Sequence, residues 1–583
     1  MKNTIQLHIC LLIFGVLFTI GVSPVRAQAA DEIFQAAGTP SNPKVKIAFN
    51  QYYTAEGLAA LGKKIAEAHP NLVKRMSIGK STQGRDIWLL AITDYKTGDP
   101  ERKPGFYLDG NIHSNEIQGG EISTYTAWYL TESFGKIPYV TQMLKDRIFY
   151  IVATINPDAR NNYMKEPNTG SSPRAGMIAL DDDSDGLFDE DGYDDLDGDG
   201  SITEMRRKSP SGNYIIDPKD PRKMIRIGPD DVVTSQRYER LGREGIDNDG
   251  DGRINEDTPG YYDPNRDWGW KWQPDYVQRG AYKYPFSAPE TRAVADFVKA
   301  HPNIAGAQSF HNSGGMILRG PGAEEDKATY NRADVAIYDA IGKKGEELLP
   351  GYDYLTVYKD LYSVFGGELD WFYGGRGIYT FTNEIFTGFA YYKDDKRGRD
   401  QIYDAAKDLM LGDGFTPYTS YNHPTYGDVE IGGFKKNVGR ATPGFMLEEE
   451  AHRNMVFVFY HAFHMPHLSI GDVQVKSLGG GLKEVTATVV NDRLIPTHAS
   501  QDLKYNIERP DYISLSGANV IAGMIVEDAD FNVTQEQTST PETLRVANIP
   551  GNDTVMVRWI VKGGNNMTIT VDSAKGGLVQ KKI

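Results

Sequence analysis

What most limits how this chain can fold is the alternation of short apolar runs with helical patterns between residues 50 and 385. Gly105-Phe-Tyr-Leu-Asp109 and Arg147 to Ile155 read as buried strands, and Ile304 to Phe310 and Gly377 to Ile385 as two more. Between them, Asn50 to Ala68 carries Leu58, Leu61 and Ile65 at helical spacing, and Glu116 to Leu130 reads as a second helix. Ser287-Ala-Pro-Glu290 has the form of a capping box: Ser287 would accept from the Glu290 amide and Glu290 would reach back, opening a helix to Ala300. Strands alternating with helices predict an α/β domain with a largely parallel or mixed central sheet and helices on both faces. In such sheets, sites form at the carboxyl ends of strands.

This texture is broken twice. From Ile155 to Asp263 it gives way to a long Asp/Gly-rich insertion, most acidic over 178–258. From about His467 onward, short β-prone runs such as Val473-Gln-Val-Lys-Ser, Val485-Thr-Ala-Thr-Val-Val and Thr554-Val-Met-Val-Arg-Trp-Ile-Val alternate with turn residues. That pattern predicts an all-β, sandwich-like accessory domain over 467–583, separate from an α/β domain over 44–466. A chain of 583 residues has room for both, since single cores stop growing near ~250–300 residues.

Residues 1–27 differ from everything after them. A short basic start, an apolar run from Ile5 to Val22 and small residues up to Ala27 read as a cleaved secretory signal, implying a secreted or periplasmic protein. No later stretch is apolar enough to span a bilayer, so no membrane anchor is expected once the signal is removed. The only cysteine, Cys10, falls inside that segment. The mature chain would therefore have no disulfide and no Cys-metal site, and any metal must be held by His, Asp, Glu or carbonyls. A net charge of −16 argues against a nucleic-acid partner.

The polar residues at the strand ends carry the chemistry. His113 and Glu116 lie three apart just past the first buried strand and can face one zinc ion. A single His-x-x-Glu is expected about once by chance in a chain of this composition, so a third ligand is needed. His311 closes the strand ending at Phe310. Two His and one Glu with an open fourth position form a catalytic zinc set, although either His alone would read as well as a structural histidine.

Six motifs in order then resemble the zinc carboxypeptidase family: Gly110-Asn-Ile-His113-Ser-Asn-Glu116, Asn156-Pro-Asp158, Asp263-Pro-Asn265-Arg266-Asp-Trp268, Ser309-Phe-His311, Tyr362-Ser-Val-Phe-Gly-Gly-Glu-Leu369-Asp-Trp371 and Gly377-Ile-Tyr-Thr-Phe-Thr-Asn-Glu384. The resemblance implies a secreted, zinc-dependent peptidase that removes single residues from the C-termini of peptides or proteins. It implies Glu384 as general base and Asp263 as the carboxylate orienting His113. Asn265 and Arg266 would clamp the substrate's free carboxylate, and Tyr362 would close over it. Leu369 falls where pancreatic members set the floor of the side-chain pocket, implying apolar or aromatic C-terminal residues, although Glu368 beside it argues the other way. Asn115 replaces the arginine of pancreatic members and is closer to the regulatory branch of the family. An arginine that stabilises the oxyanion is expected after the Asn-Pro-Asp turn. Met205-Arg206-Arg207-Lys208 follows the acidic stretch, and Arg206 is assigned that role, with Arg207 the alternative.

The acidic insertion suggests calcium. Asp195, Asp197 and Asp199, and then Asp247, Asp249 and Asp251, place carboxylates at alternate positions around glycine turns; Asp183 and Asp185, with Asp189 and Asp191, make a third candidate. The first two loops lack a Glu at loop position twelve, so they are not standard helix-loop-helix hands. A solvated acidic loop is the bland alternative. Two rival functions stay open: a cell-wall peptide amidase of the γ-D-glutamyl type on the same scaffold, and a catalytically silent, calcium-organised binding protein. The β domain carries no catalytic constellation and could attach the protein to a cell surface.

Overall fold

The computed structural model describes residues 36–182, 184–228, 230–393 and 400–583; the signal segment with Cys10, and Asp183, lie outside the described residues. The first helix, α1 (Ala55–Ala68), begins where the Thr54 hydroxyl accepts from Gly57 N at 3.1 Å, which places its start after the predicted Asn50. The chain then lays down β1 (Val73–Lys80), β2 (Asp86–Ile92), β3 (Gly105–Gly110), α2 (Gln118–Ser133), α3 (Pro138–Asp146), β4 (Ile148–Val152) and α4 (Pro157–Lys165). It crosses the insertion, which contains β5 (Glu204–Lys208), β6 (Tyr214–Asp217), β7 (Asp220–Arg226) and β8 (Tyr238–Arg243). It returns through α5 (Pro289–Ala300), β9 (Ile304–Asn312), β10 (Met316–Arg319), α6 (Arg332–Leu348), β11 (Asp353–Thr356) and β12 (Tyr379–Ile385).

Eight strands form one sheet in the order β1-β2-β4-β3-β9-β12-β10-β11. Its centre is parallel (β4 with β3, β3 with β9, β9 with β12), while β1, β2 and β10 run antiparallel to their neighbours towards the centre, so the sheet is mixed. The period of two divides each strand between two cores. Phe106, Leu108, Phe149 and Ile151 pack with α1, α2, α6 and the helix Gly444–Phe463, whereas Tyr107, Ile148, Tyr150 and Val152 pack with α5 and Trp268. Helices therefore cover both faces. α2 is buried along its whole length, which explains why it lacks a polar stripe.

The capping box at α5 does not form. Asp267 instead takes the Ser287 hydroxyl (3.0 Å), Ala288 N (2.8 Å) and the Thr291 hydroxyl (2.6 Å), while Glu290 accepts from Thr82 N at 2.7 Å. A buried tertiary acceptor has displaced the local one.

The insertion is a sheet of its own. A hairpin far along the chain, β13 (Phe415–His423) and β14 (Gly427–Phe434), joins it to give the order β13-β14-β5-β8-β6-β7. Beyond residue 467, a five-stranded and a four-stranded antiparallel sheet enclose one core that includes Val485, Val557, Trp559, Ile513, Ile569 and Val571. Lys575 Nζ reaches Gly377 O (3.0 Å) and the Asp502 carboxylate (3.0 Å), tying this β region to the root of β12. Among the described residues, no helix is long and apolar enough to cross a membrane.

Candidate active site

The parallel centre of the sheet brings three polar strand ends together. β3 ends at Gly110, where a Cβ would lie 2.6 Å from the Gly119 backbone, so only glycine lets the strand abut the start of α2. Asn111 then adopts φ +60°, and its Nδ2 donates to His113 O (2.7 Å) and Ser114 O (3.1 Å), folding the loop back on itself. Beneath it lies Arg160, delivered by α4, whose first turn Asn156 caps. The wholly buried guanidinium donates to Asn111 Oδ1 (3.0 Å), Ile117 O (2.7 Å), Glu121 Oε1 (2.6 Å) and Tyr53 O. His311 lies near the end of β9, in register with Glu384 on β12.

His113 Nδ1 lies 3.0 Å from Glu116 Oε1, His311 Nδ1 lies 2.9 Å from Glu116 Oε2, and the two Nδ1 atoms are 3.1 Å apart. All three residues are buried. His113 Nε2 faces Asp263 Oδ1 at 3.0 Å; a carboxylate only accepts, so this nitrogen carries the proton and the neutral ring turns a lone pair inward. Glu116 Oε2 has no hydrogen-bond partner although it is buried. Lone pairs of two imidazoles and a carboxylate converging on one point, away from water, need a cation between them. The donor set, two nitrogens and one carboxylate oxygen, suits zinc.

Asp263 joins the metal set to the arginines. Its Oδ2 meets Arg174 Nη1 at 3.1 Å and Arg266 Nη2 at 3.9 Å. Asn265 anchors through its own Oδ1, which accepts from Glu368 N at 2.8 Å. Burial first, then the charge of Glu116, pushes Glu384 up to about 7, with His311, Arg174 and Arg440 opposing. His113, His311, Glu384, Arg174, Asn265 and Arg266 line one cleft, with Tyr362 at its mouth, 56% exposed. Leu369 lines its apolar end, packed with Leu318 and Val357.

Arg206 is not part of this cleft, which corrects the assignment made from sequence. It lies on β5 inside the insertion sheet, bonded to Glu430 (2.7 Å) and stacked 3.6 Å over the Tyr418 ring; Arg207 pairs with Glu239. Pairing with β14 pulls residues 204–208 away from the strand ends. Arg174 lines the cleft instead. The signal for it was position: it follows the Asn-Pro-Asp turn and precedes the acidic stretch. Arg440, from a distant segment, also reaches the site, 3.4 Å from Glu116 Oε1.

In the insertion, Asp247, Asp249 and Asp251 each bring a carboxylate oxygen within 4.8 Å of the others. Asp195 and Asp197 converge with the buried Glu244 instead of with Asp199, which takes the Thr416 hydroxyl. Asp185 lies with Glu190 and Asp249; Asp189 accepts from Leu180 N and belongs to none of these clusters.

A family model described as zinc carboxypeptidase matches residues 58–169 and 224–402, on either side of the insertion's first half. The chain belongs to the zinc carboxypeptidase family. Carboxypeptidase A1 of Sus scrofa is 22% identical over 388 residues, 64% of this chain and 71% of that protein. Carboxypeptidase M of Mus musculus is 30% identical over 112 residues, 18% of this chain, and the match spans only 24% of its length. The carboxypeptidase A structure from Helicoverpa armigera covers 72% of this chain and 76% of its own at 15% identity and a TM-score of 0.42. Residues 467–583 match a model described as a domain of unknown function.

Proposed function

We propose that this family member is a secreted carboxypeptidase that hydrolyses the last peptide bond of peptides at the site built on His113, Glu116, His311 and Glu384. The observation that carries the reading is that the metal set, the Glu384 carboxyl group and the side chains of Asn265 and Arg266 share one cleft. His113 Nδ1, the Glu116 carboxylate and His311 Nδ1 would hold zinc, which when bound acidifies a water and polarises the scissile carbonyl.

The chain's own groups would do the rest. Glu384 takes a proton from water and returns it to the leaving amine. Arg266 and Asn265 hold the substrate's terminal carboxylate, the feature that distinguishes a terminal residue from an internal one. Arg174, kept in place by Asp263, faces the position where carbonyl charge develops, the role earlier given to Arg206. Tyr362, exposed at the mouth, covers the bound residue.

Leu318, Val357 and Leu369 support a preference for apolar C-terminal side chains. The neighbouring acids do not contradict it. Burial, then the charge of Asp109, raises Glu368 well above the usual carboxylate range, which favours its neutral form, and both Asp370 oxygens are occupied by Gly322 N and the Tyr330 hydroxyl.

The test is hydrolysis of peptides supplied with free and with amidated C-termini, read by mass spectrometry, with Glu384→Gln as the control. Single-residue losses from the free termini alone are expected, and absent in the variant. Cleavage of the amides at an equal rate would sink the clamp. Activity confined to muropeptides would establish the cell-wall amidase, and no activity on either would leave the binding protein.

A further inference from the structure

The acidic insertion contains one ten-residue pattern three times, Asp-x-Asp-x-Asp-Gly-x-apolar-x-Glu, at 181–190, 195–204 and 247–256. In each copy the leading Asp folds the loop by accepting from backbone amides: Asp181 from Gly186 N (3.0 Å), Asp195 from Gly200 N (2.9 Å), Asp247 from Gly252 N (3.0 Å). The closing glutamates differ. Glu204 is spent on Arg240 at 2.6 Å, whereas Glu190 and Glu256 are half-buried, with neither carboxylate oxygen hydrogen-bonded.

The first and third copies face each other. Asp257 N donates to Asp191 O (3.2 Å), Asp189 N donates to the Asp257 carboxylate (3.1 Å), and Asn248 Nδ2 donates to Asp191 Oδ1 (3.0 Å). At this junction Asp191, Asp249 and Glu256 each present a carboxylate oxygen within 4.8 Å of the others. Asp191 is completely buried, and its Oδ2 has no partner at all. A buried acceptor without a donor is costly, and here it points among further acceptors, an arrangement only a cation satisfies. Burial and the facing Asp191 also push Glu256 up to about 7.

We infer that Asp191, Asp249 and Glu256 hold a structural divalent cation of the calcium class that clamps the first acidic repeat to the third. An all-oxygen, carboxylate-rich set on turn-rich loops selects calcium over zinc, and over magnesium, which demands a tighter octahedron. Asp249 also sits with Asp185 and Glu190, so a second ion would share it. The clamp has a consequence for the active site. Arg174 lies just before the acidic repeats and Asp263 just after them; they are bonded to each other (3.1 Å), with Gly176 N to Tyr262 O (2.9 Å) beside them. Locking the two repeats together holds both ends of the loop that delivers these residues.

The site stands on the insertion's geometry alone, so it is tested without hydrolysis. Calcium chloride is titrated by calorimetry into decalcified, zinc-reloaded full-length Glu384→Gln protein, and into the same protein carrying Asp191→Asn or Asp195→Asn. Saturable binding is expected, weakened by more than roughly tenfold in Asp191→Asn and retained at that site in Asp195→Asn. Unchanged binding in Asp191→Asn, or no uptake below millimolar calcium, would overturn the proposal. Magnesium binding as tightly would overturn the calcium assignment. If Asp191→Asn does not fold, Glu256→Gln carries the same comparison, and an unfolding temperature of the parent protein that does not rise with calcium would count against the site.

Discussion

Arg160 is the side chain on which the metal loop rests, and replacing it with Met makes a quantitative test of that dependence. The guanidinium is wholly buried, pairs with the equally buried Glu121 at 2.6 Å, and serves Asn111 Oδ1, Ile117 O and Tyr53 O. Arg160→Met fills most of the volume but leaves Glu121 buried opposite no charge. Breaking such a pair costs roughly 3–5 kcal/mol. For a domain of about 420 residues the unfolding entropy is near ~0.9 kcal/mol/K, so the expected fall in melting temperature is about 3–6 °C. The penalty should depend on pH in a definite direction. Burial already holds Glu121 above its ordinary value, and Arg160 is the main force lowering it again. Without Arg160 the folded-state value rises further above the unfolded one, and a carboxyl raised in this way destabilises increasingly as pH climbs through that interval. The variant's deficit should therefore be smaller at pH 5 than at pH 8. Adding Glu121→Gln to Arg160→Met should recover part of it by removing the unpaired charge. Freed Asn111 should also loosen the His113–Glu116 loop, weakening zinc binding roughly 10–100-fold. Scanning calorimetry at two pH values and competition with a zinc chelator read both effects. A melting temperature within 1 °C of the parent, with zinc affinity unchanged, would refute the argument that Arg160 supports the loop.

Three further outcomes can be checked. Arg174→Lys should lower kcat on a peptide substrate by about 10²–10³, whereas Arg206→Lys should leave kcat alone and cost only stability, about 1–3 kcal/mol from the lost stacking and Glu430 bond; the reverse pattern in steady-state kinetics would restore Arg206. Gly110→Ala should expel zinc or prevent folding, because the new methyl meets backbone atoms that cannot yield; metal analysis of the purified variant, if it contained a full equivalent, would show that the strand end has room to spare. At His498, burial alone would lower the pKa, but the bond to Asp502 and the facing Asp511 carboxylate raise it to about 9. Its contribution is then complete below about pH 6.5 and lost as pH rises through about 9, on the order of 3 kcal/mol at most. Melting curves between pH 7 and 10 should fall less steeply for His498→Asn than for the parent, and parallel slopes would remove His498 as the cause.

Much of this site could be read without coordinates because its information is local. His113, Glu116, His311 and Glu384 each follow or end an apolar run, and a run that buries on both faces can only be a central strand, so its carboxyl end is a predictable place. What could not be read depends on chain segments meeting across hundreds of residues. Nothing near Arg206 says that a hairpin at 415–434 will pair with it and hold it in another sheet. Nothing near Arg440 says that it returns to Glu116. The capping box at Ser287 failed for the same reason, since Asp267 is the better acceptor only once the fold has brought it there. The acidic insertion lies between these cases. Its repeats are plain in the sequence, and its loops close on their own leading aspartates as such repeats should. Which carboxylates face one another is decided by the pairing of the first repeat with the third, and that pairing makes Asp191, a residue outside the repeating unit, the most deeply buried acid of the cluster. A loop anchored this way need not be rigid along its length to deliver Arg174 and Asp263 accurately; it needs only to be closed near its two ends.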